Sequence, residues 1–431
     1  MTTEELRTIL EESGADAWEI TDTKTEGWEF YFIRHSLDQN RVRDVEHREI
    51  AVYRAMDDGT MLGRASAEIP PTLQREEAAR EIAGLLADAA YGKNPVYRLN
   101  GPAPIDAPRP QETDPAVIAR EYLAAMQGIP ETEGEDLNSY EIFVDRNEVR
   151  YCNSEGIDVT QIYPSSMVEV VVNARDGQHE IELYRLFEAG TCDRKALTED
   201  IGELTRFGRD RLTAEPTPAI GTGAVLFSTK DAAELYRYFV DRMQAKLVYM
   251  KLSDWEIGRA YAGEARGDQV TLTARAFLPN SSRNRVFDDE GAPIRDLPII
   301  TKGVPAHYLG TRQFRCYLGQ EDGFHAANYE VSGGTGTEES LRTGSYLEVV
   351  EFSDFSVDEM TGDIAGEIRL GYWHDGDRVT PVTGGSVSGT LRELMNEMRF
   401  SAEQRQYDRY LIPRLTRLEG VHITGIQTGD N

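Results

Sequence analysis

Histidines, cysteines and clustered acids are the residues from which a metal centre or a nucleophilic site would be built. Their spacing in this chain suits neither. The seven histidines are His35, His47, His179, His307, His325, His374 and His422. No two stand three to five positions apart, so the helical pairs of HExxH-type zinc sites cannot form. The three cysteines, Cys152, Cys192 and Cys316, are odd in number and widely spaced, with no CxxC. That fits a reducing compartment and argues against a disulfide framework or a Cys-rich zinc site. Cys316 shares a segment with His307 and His325, which would make a thiol–imidazole nucleophile if the fold joined them. Its neighbours Phe314 and Tyr317 read it instead as the core residue of a strand. Asp375-Gly376-Asp377 is a fragment of a calcium loop without its closing Glu, and reads as a surface turn. Asp288, Asp289, Glu290 and Gly291 form a denser acidic run, either a metal cup or, more simply, a solvated turn. Asn153, Ser154 and Gly156 join that run as candidate recognition elements for a peptide or partner. Asn, Ser, Asp and Gly are also what turns require, and the turn reading is preferred. Ser165-Ser166 and Ser281-Ser282 lack a GxSxG setting, and Gly333-Gly334-Thr335-Gly336 lacks the lysine of a phosphate loop.

The elements that would carry these residues follow from periodicity and turn chemistry. Thr2 and Glu5 form a capping box before Leu6, Ile9 and Leu10. Strands are expected at Ala15–Thr21, Trp28–Arg34 and Glu49–Met56, with a hairpin at Asp58-Gly59. A helix capped by Thr72 runs to about Ala90. The proline-rich stretch from Gly101 to Pro115 is a linker. Asp114 and Pro115 then start a second helix. Strands follow at Ser139–Val144 and Val149–Asn153, then a hairpin of Met167–Ala174 and Glu180–Phe187, then a helix from Asp193 to about Leu212. The order helix, strands, hairpin, helix thus occurs twice.

Beyond Pro216–Gly223 the pattern turns to strands and glycine-rich turns, with helices expected only at Lys230–Ala245 and Gly389–Met398. In the first, Ser228 and Asp231 have capping-box spacing, and Ala232, Leu235, Tyr236, Phe239, Val240 and Met243 make one apolar stripe. Strands are expected at Gln269–Ala276, Phe287–Gly291, Leu297–Gly303, Ser345–Phe352, Gly366–Trp373 and Val379–Val387. The expected fold is α+β: two helix–sheet–helix units (1–100 and 101–215) and a β-rich, barrel-like or stacked-sheet domain (216–431).

The 431 residues carry a net charge of −29, which opposes binding to nucleic acid or anionic membrane. An apolar share of 40% is that of a globular protein. No apolar run approaches the ~18–20 residues that span a bilayer. The acidic, helical N-terminus has none of the features of a signal peptide, so the cytoplasm is the expected location.

Several phrases together resemble the TldD/PmbA family, whose older name is modulator of DNA gyrase. They are Tyr151–Gly156 (YCNSEG), Phe287–Gly291 (FDDEG) with Leu297–Gly303 (LPIITKG), Gly344–Leu347 (GSYL), and Thr361-Gly362-Asp363 with Gly366. Further on come Pro381-Val382, Ser388-Gly389-Thr390, Leu418–Val421 and Ile423-Thr424-Gly425. Their order and spacing carry the resemblance over most of 115–431. It implies a heterodimeric protease that cuts unfolded or extended peptides. TldD-type chains hold zinc on a His-Glu-x-x-x-His helix, and TldE (PmbA)-type chains lack that motif. Here the six positions fall on Arg237 to Arg242. Arg237 and Arg242 stand for the ligands and Tyr238 for the Glu. Arginine has no lone pair for a metal, and no Cys follows Cys316 to replace the C-terminal zinc ligand of TldD-type chains. The implied identity is a non-catalytic TldE-like subunit, binding no zinc itself, with zinc on a TldD-like partner. A homodimeric peptide-binding scaffold and a Cys-dependent hydrolase remain as alternatives.

Overall fold

The computed structural model describes residues 1–263 and 265–426. Its N-terminal half is one antiparallel sheet with helices on a single face. Helix α1 (Thr3–Glu12) starts on the expected Thr2–Glu5 capping box. Strands β1 (Ala17–Ile33), β2 (Ser36–Met56) and β3 (Met61–Glu68) follow, then helix α2 (Arg75–Ala89) and the short β4 (Asn94–Pro95). Helix α3 (Pro115–Gln127) is capped by Asp114 and leads to β5 (Glu135–Asn153), β6 (Asp158–Arg175) and β7 (Glu180–Ala189). Helix α4 (Arg194–Leu212), capped by Asp193, closes the second unit. Each unit keeps the order expected for it. The two join edge to edge through β1 and β5, giving the strand order β4-β3-β2-β1-β5-β6-β7. One face of this sheet buries Trp18, Ile20, Ile50 and Val52 under α1 and α2. The same face buries Phe32, Tyr140, Ile142 and Val144 under α3 and α4.

Two boundaries depart from expectation for one reason. The runs at Ala15–Thr21 and Trp28–Arg34 are a single strand, β1, and β2 begins at Ser36, well before Glu49. The linking stretches are polar and lack alternation, so periodicity cannot detect strands that backbone pairing alone holds. Helix α2 starts after Gln74, which forms a capping box with Glu77, and so Thr72 is not the cap.

The C-terminal half contains a closed five-strand barrel. Gly221–Phe227 pairs with Tyr346–Val357 on one side and Thr416–Thr424 on the other. Ser386–Thr390 and Asp363–Asp375 complete the ring back to Tyr346–Val357. Beside it lies a six-stranded sheet that includes Leu272–Arg275, Leu297–Thr301 and Asn328–Val331. Helix α5 (Ala232–Arg242) sits in the core that barrel and sheet share, where Leu235, Tyr236 and Phe239 are fully buried with Val225, Leu272 and Val331. Its N-cap is Asp231, whose side chain caps nothing, so the Ser228–Asp231 box does not form. More helix is present than expected. Short helices α6 (Ala245–Tyr249) and α7 (Arg312–Tyr317) are added, while the one expected at Gly389–Met398 shrinks to Leu391–Leu394. Phe287–Gly291 is a turn rather than a strand, tied by a single bridge from Phe287 to Pro293.

Candidate functional site

Helix α5 distributes its three informative residues over different environments. Arg237 is half exposed and pairs along the helix with Glu234 at 3.1 Å and Asp241 at 3.7 Å. Tyr238 points inward, is 1% exposed, and meets Phe239 and Trp255 edge to face. Its hydroxyl finds no partner among the described residues, and burial pushes its pKa up. Arg242 is also 1% exposed, with its guanidinium beside the rings of Tyr238 and Trp255. It donates to the carbonyls of Leu252 (2.7 Å) and Met360 (3.1 Å) and to the carboxylate of Asp254 (2.5 Å). Asp254 reaches outward and takes a second guanidinium, that of Arg392.

These groups border a cleft of about 470 Å³ lined by Lys251, Asp254, Trp255, Arg259, Tyr261 and Arg392, among others. Trp255 and Tyr261 stack at 4.6 Å to form its wall. Of this cleft the sequence reading identified only Arg242 and Tyr238, behind its wall. Asp254, Trp255 and Arg392 come from segments without periodicity, and only a Trp in a polar loop hinted at them.

The residues at these positions do not suit zinc. A buried guanidinium, already bonded to two carbonyls and a carboxylate, places fixed positive charge there and offers no lone pair. Among the described residues no three His, Cys, Asp or Glu side chains converge as a metal-binding group. Asp241 is the one acid on this part of the helix with a markedly shifted proton affinity. Burial pushes it up to about 6, against the pull of Arg237.

The two turns quoted as recognition elements come together at the junction between the N-terminal sheet and the C-terminal half. Asn153 is buried, accepts from the N–H groups of Glu155 and Ile157, and donates to the carbonyl of Asn100. Asn100 in turn donates to the carbonyl of Glu290. Ser154 accepts from the N–H of Trp18, and Gly156 turns at φ +94°. Asp288 is buried, contrary to the solvated turn expected. Its carboxylate accepts from the N–H groups of Glu290, Ala292 and His325 at 2.8–2.9 Å. Gly291 turns at φ +73° directly over the ring of Tyr151, where a Cβ would approach to 2.7 Å. Only Asp289 faces solvent, 3.9 Å from His325. Glu290 accepts from the N–H of Arg312, yet burial and the neighbouring Asp288 push its pKa up to about 7. The same junction seats Glu19, which accepts from the hydroxyls of Tyr53 and Tyr151.

Cys316 lies on α7, not in a core strand. Burial pushes its thiol up, opposite to what activates a nucleophile. His307 is turned to the carbonyl of Pro298 at 2.7 Å, and His325 towards Asp289.

Comparison with known proteins agrees with this architecture. No curated protein matches the chain. The family model for the PmbA/TldA metallopeptidase C-terminal domain matches residues 220–425, the segment that holds the barrel, the adjoining sheet and α5. The crystal structure of TldE from Thermococcus kodakarensis matches with a TM-score of 0.78 at 17% identity, covering 98% of this chain and 99% of that one. A Thermotoga maritima protein described as a modulator of a DNA gyrase matches with a TM-score of 0.80 at 17% identity, covering 98% and 100%. A Bacteroides thetaiotaomicron protein described in similar terms gives 0.77 at 17% identity, covering 98% of each chain. At such identity the structures share the fold, and the family match is carried by residues 220–425, which belong to the PmbA/TldA metallopeptidase C-terminal domain family.

Proposed function

We propose that this chain is the TldE-type, non-catalytic subunit of a heterodimeric TldD–TldE metalloprotease. It works in the cytoplasm with a TldD-like chain that carries the zinc, on unfolded or extended peptides. One observation supports this above others. At the helix positions where the resemblance puts zinc chemistry, Arg242 is fully buried and bonded to backbone carbonyls and Asp254, while Arg237 points into solvent. Neither can serve as a ligand, and Tyr238 has no carboxylate to activate water. The helix keeps its shape and packing without that chemistry.

Co-expression with a TldD-like chain that carries the His-Glu-x-x-x-His motif tests the reading. The two should purify together and cleave an unfolded peptide, with activity lost to a chelator and absent from this chain alone. Cleavage by this chain alone would overturn the reading, as would its failure to bind the TldD-like chain.

A further inference from the structure

The outer edge of β2 is open over most of its N-terminal part. β3 pairs with β2 only from Glu49 to Met56, whereas β1 pairs with β2 from Ser36 onward. A bulge at Asp38 precedes a straight run from Gln39 to His47, and among the described residues no strand pairs with the outer side of that run. At about 3.4 Å per residue the run extends ~30 Å and turns about every second N–H and C=O outward. Its side chains are exposed apart from half-buried Arg43, and Val42 is 64% exposed. No proline or lysine guards it, although natural edges of this length are usually guarded.

The run is also sorted by charge. Register with β1 puts Arg41 and Arg43 on the face of Glu29 and Tyr31, and Asp44 and Glu46 on the opposite face with Trp28. Arg43 is held by Glu29 at 2.8 Å and Asp145 at 3.3 Å, while Arg41 lies only loosely beside Glu29 at 3.9 Å. On the acidic face a groove of about 490 Å³ starts at Val42 and Asp44 of this edge and crosses the sheet over Trp28 to Arg146, Glu112 and Pro115. Arg146 already takes Glu112 at 2.9 Å, while Asp44 has no ion pair among the described residues, so the Trp28 floor and Asp44 suit the stem and head of a long basic side chain.

This pattern disfavours a second copy. Antiparallel pairing about a two-fold axis keeps each residue on its own face, so every register centred from Arg41 to Val45 opposes like charges, and one centred on Asn40 meets the Asp38 bulge after a single pair on each side. Centring the axis on Arg41, Arg43 or Asp44 sets that residue against itself. Centring on Val42 sets Arg41 against Arg43, and centring on Val45 sets Asp44 against Glu46. Like charges directly opposite one another destabilise a strand pair.

We propose that the Gln39–His47 edge takes an added strand from a different protein chain, the TldD-like partner. That strand presents acidic side chains to Arg41 and Arg43 and basic ones to Asp44 and Glu46, one of them in the Trp28 groove. The occupant named here rests on the subunit reading above.

The test measures affinity between purified full-length chains, this one and the TldD-like chain. The variants are the double charge swap Arg41→Glu/Asp44→Lys and, as a second probe, Val42→Lys in the groove. Thermal unfolding shows whether each is folded, and if the double swap is not, the single variant decides. At least a 30-fold loss of affinity is expected for a folded variant, with the isolated wild type showing no self-association through this edge. Unchanged affinity in a folded variant overturns the edge assignment while leaving the subunit reading intact. A wild-type homodimer that the variants dissociate also overturns it. No binding by wild type sinks the subunit reading, and the named occupant with it.

Discussion

At the junction, Asp288 uses both carboxylate oxygens on backbone N–H groups, and the Asn153 side chain bonds the backbone of Asn100, Glu155 and Ile157. Beside α5, Arg242 is as deeply buried, yet it hands its charge to Asp254, which stands in solvent next to Arg392, Lys251 and Arg259. Both regions offset the cost of a buried polar or charged group by hydrogen bonding it, completely at the Asp288 carboxylate and at all but the Nε of Arg242. They differ in what remains for a ligand. The junction turns direct their polarity inward and serve to fasten two halves of the chain. The cleft keeps charged and aromatic groups facing outward. A motif that resembles a family signature can therefore be a fastening, while the groups left facing solvent lie in loops that no motif marks.

The largest expected effect lies at Asp288. Replacing it with alanine leaves three N–H groups, that of Ala292 buried and those of Glu290 and His325 part-buried, without their acceptor, and an expected loss of about 3 kcal/mol follows. Chemical denaturation measures it, and a loss below 1 kcal/mol would make the turn a surface feature after all. Gly291→Ala comes next. The positive φ and the Tyr151 ring together should cost about 2 kcal/mol in the same measurement.

Glu290 gives a pH-dependent version of the same contrast. Its folded pKa of about 7 lies above the ordinary 4.5, so between those values the unfolded chain releases a proton that the folded chain retains. Stability from this residue is intact below pH 4.5, falls as pH rises through the window, and levels off above 7. Melting of wild type and Glu290→Gln from pH 4.5 to 8 should show the variant gaining steadily on wild type. Parallel curves would remove the junction carboxyl from the account. The smallest effect belongs to the α5 surface. Arg237→Ala removes an exposed guanidinium from the half-buried carboxylates of Glu234 and Asp241 and should cost less than about 1 kcal/mol.

Legibility followed the physical signal that each element carries. Capping by Thr2, Asp114 and Asp193 and the stripe on α5 were readable, because local hydrogen bonding and apolar spacing are properties of short segments. The first part of β2 was not, because Ser36–Arg48 shows no alternation and is a strand only by pairing with β1. Cys316 misled in the other direction, since its aromatic neighbours suit a short helix as well as a strand.

Residue types and their spacing were enough for the α+β class, the helix–strands–hairpin–helix order of the two N-terminal units, and the absence of ligand chemistry at Arg237, Tyr238 and Arg242. Residue type settles the last point, since no fold gives a guanidinium a lone pair. Tertiary structure decided the rest. It closed the barrel, joined the Asn153 and Asp288 turns into one fastening, and placed Asp254, Trp255 and Arg392 around one cleft. It also left one edge of β2 unpaired. These are relations between segments far apart in the chain, and pairing and burial exist only once the segments meet.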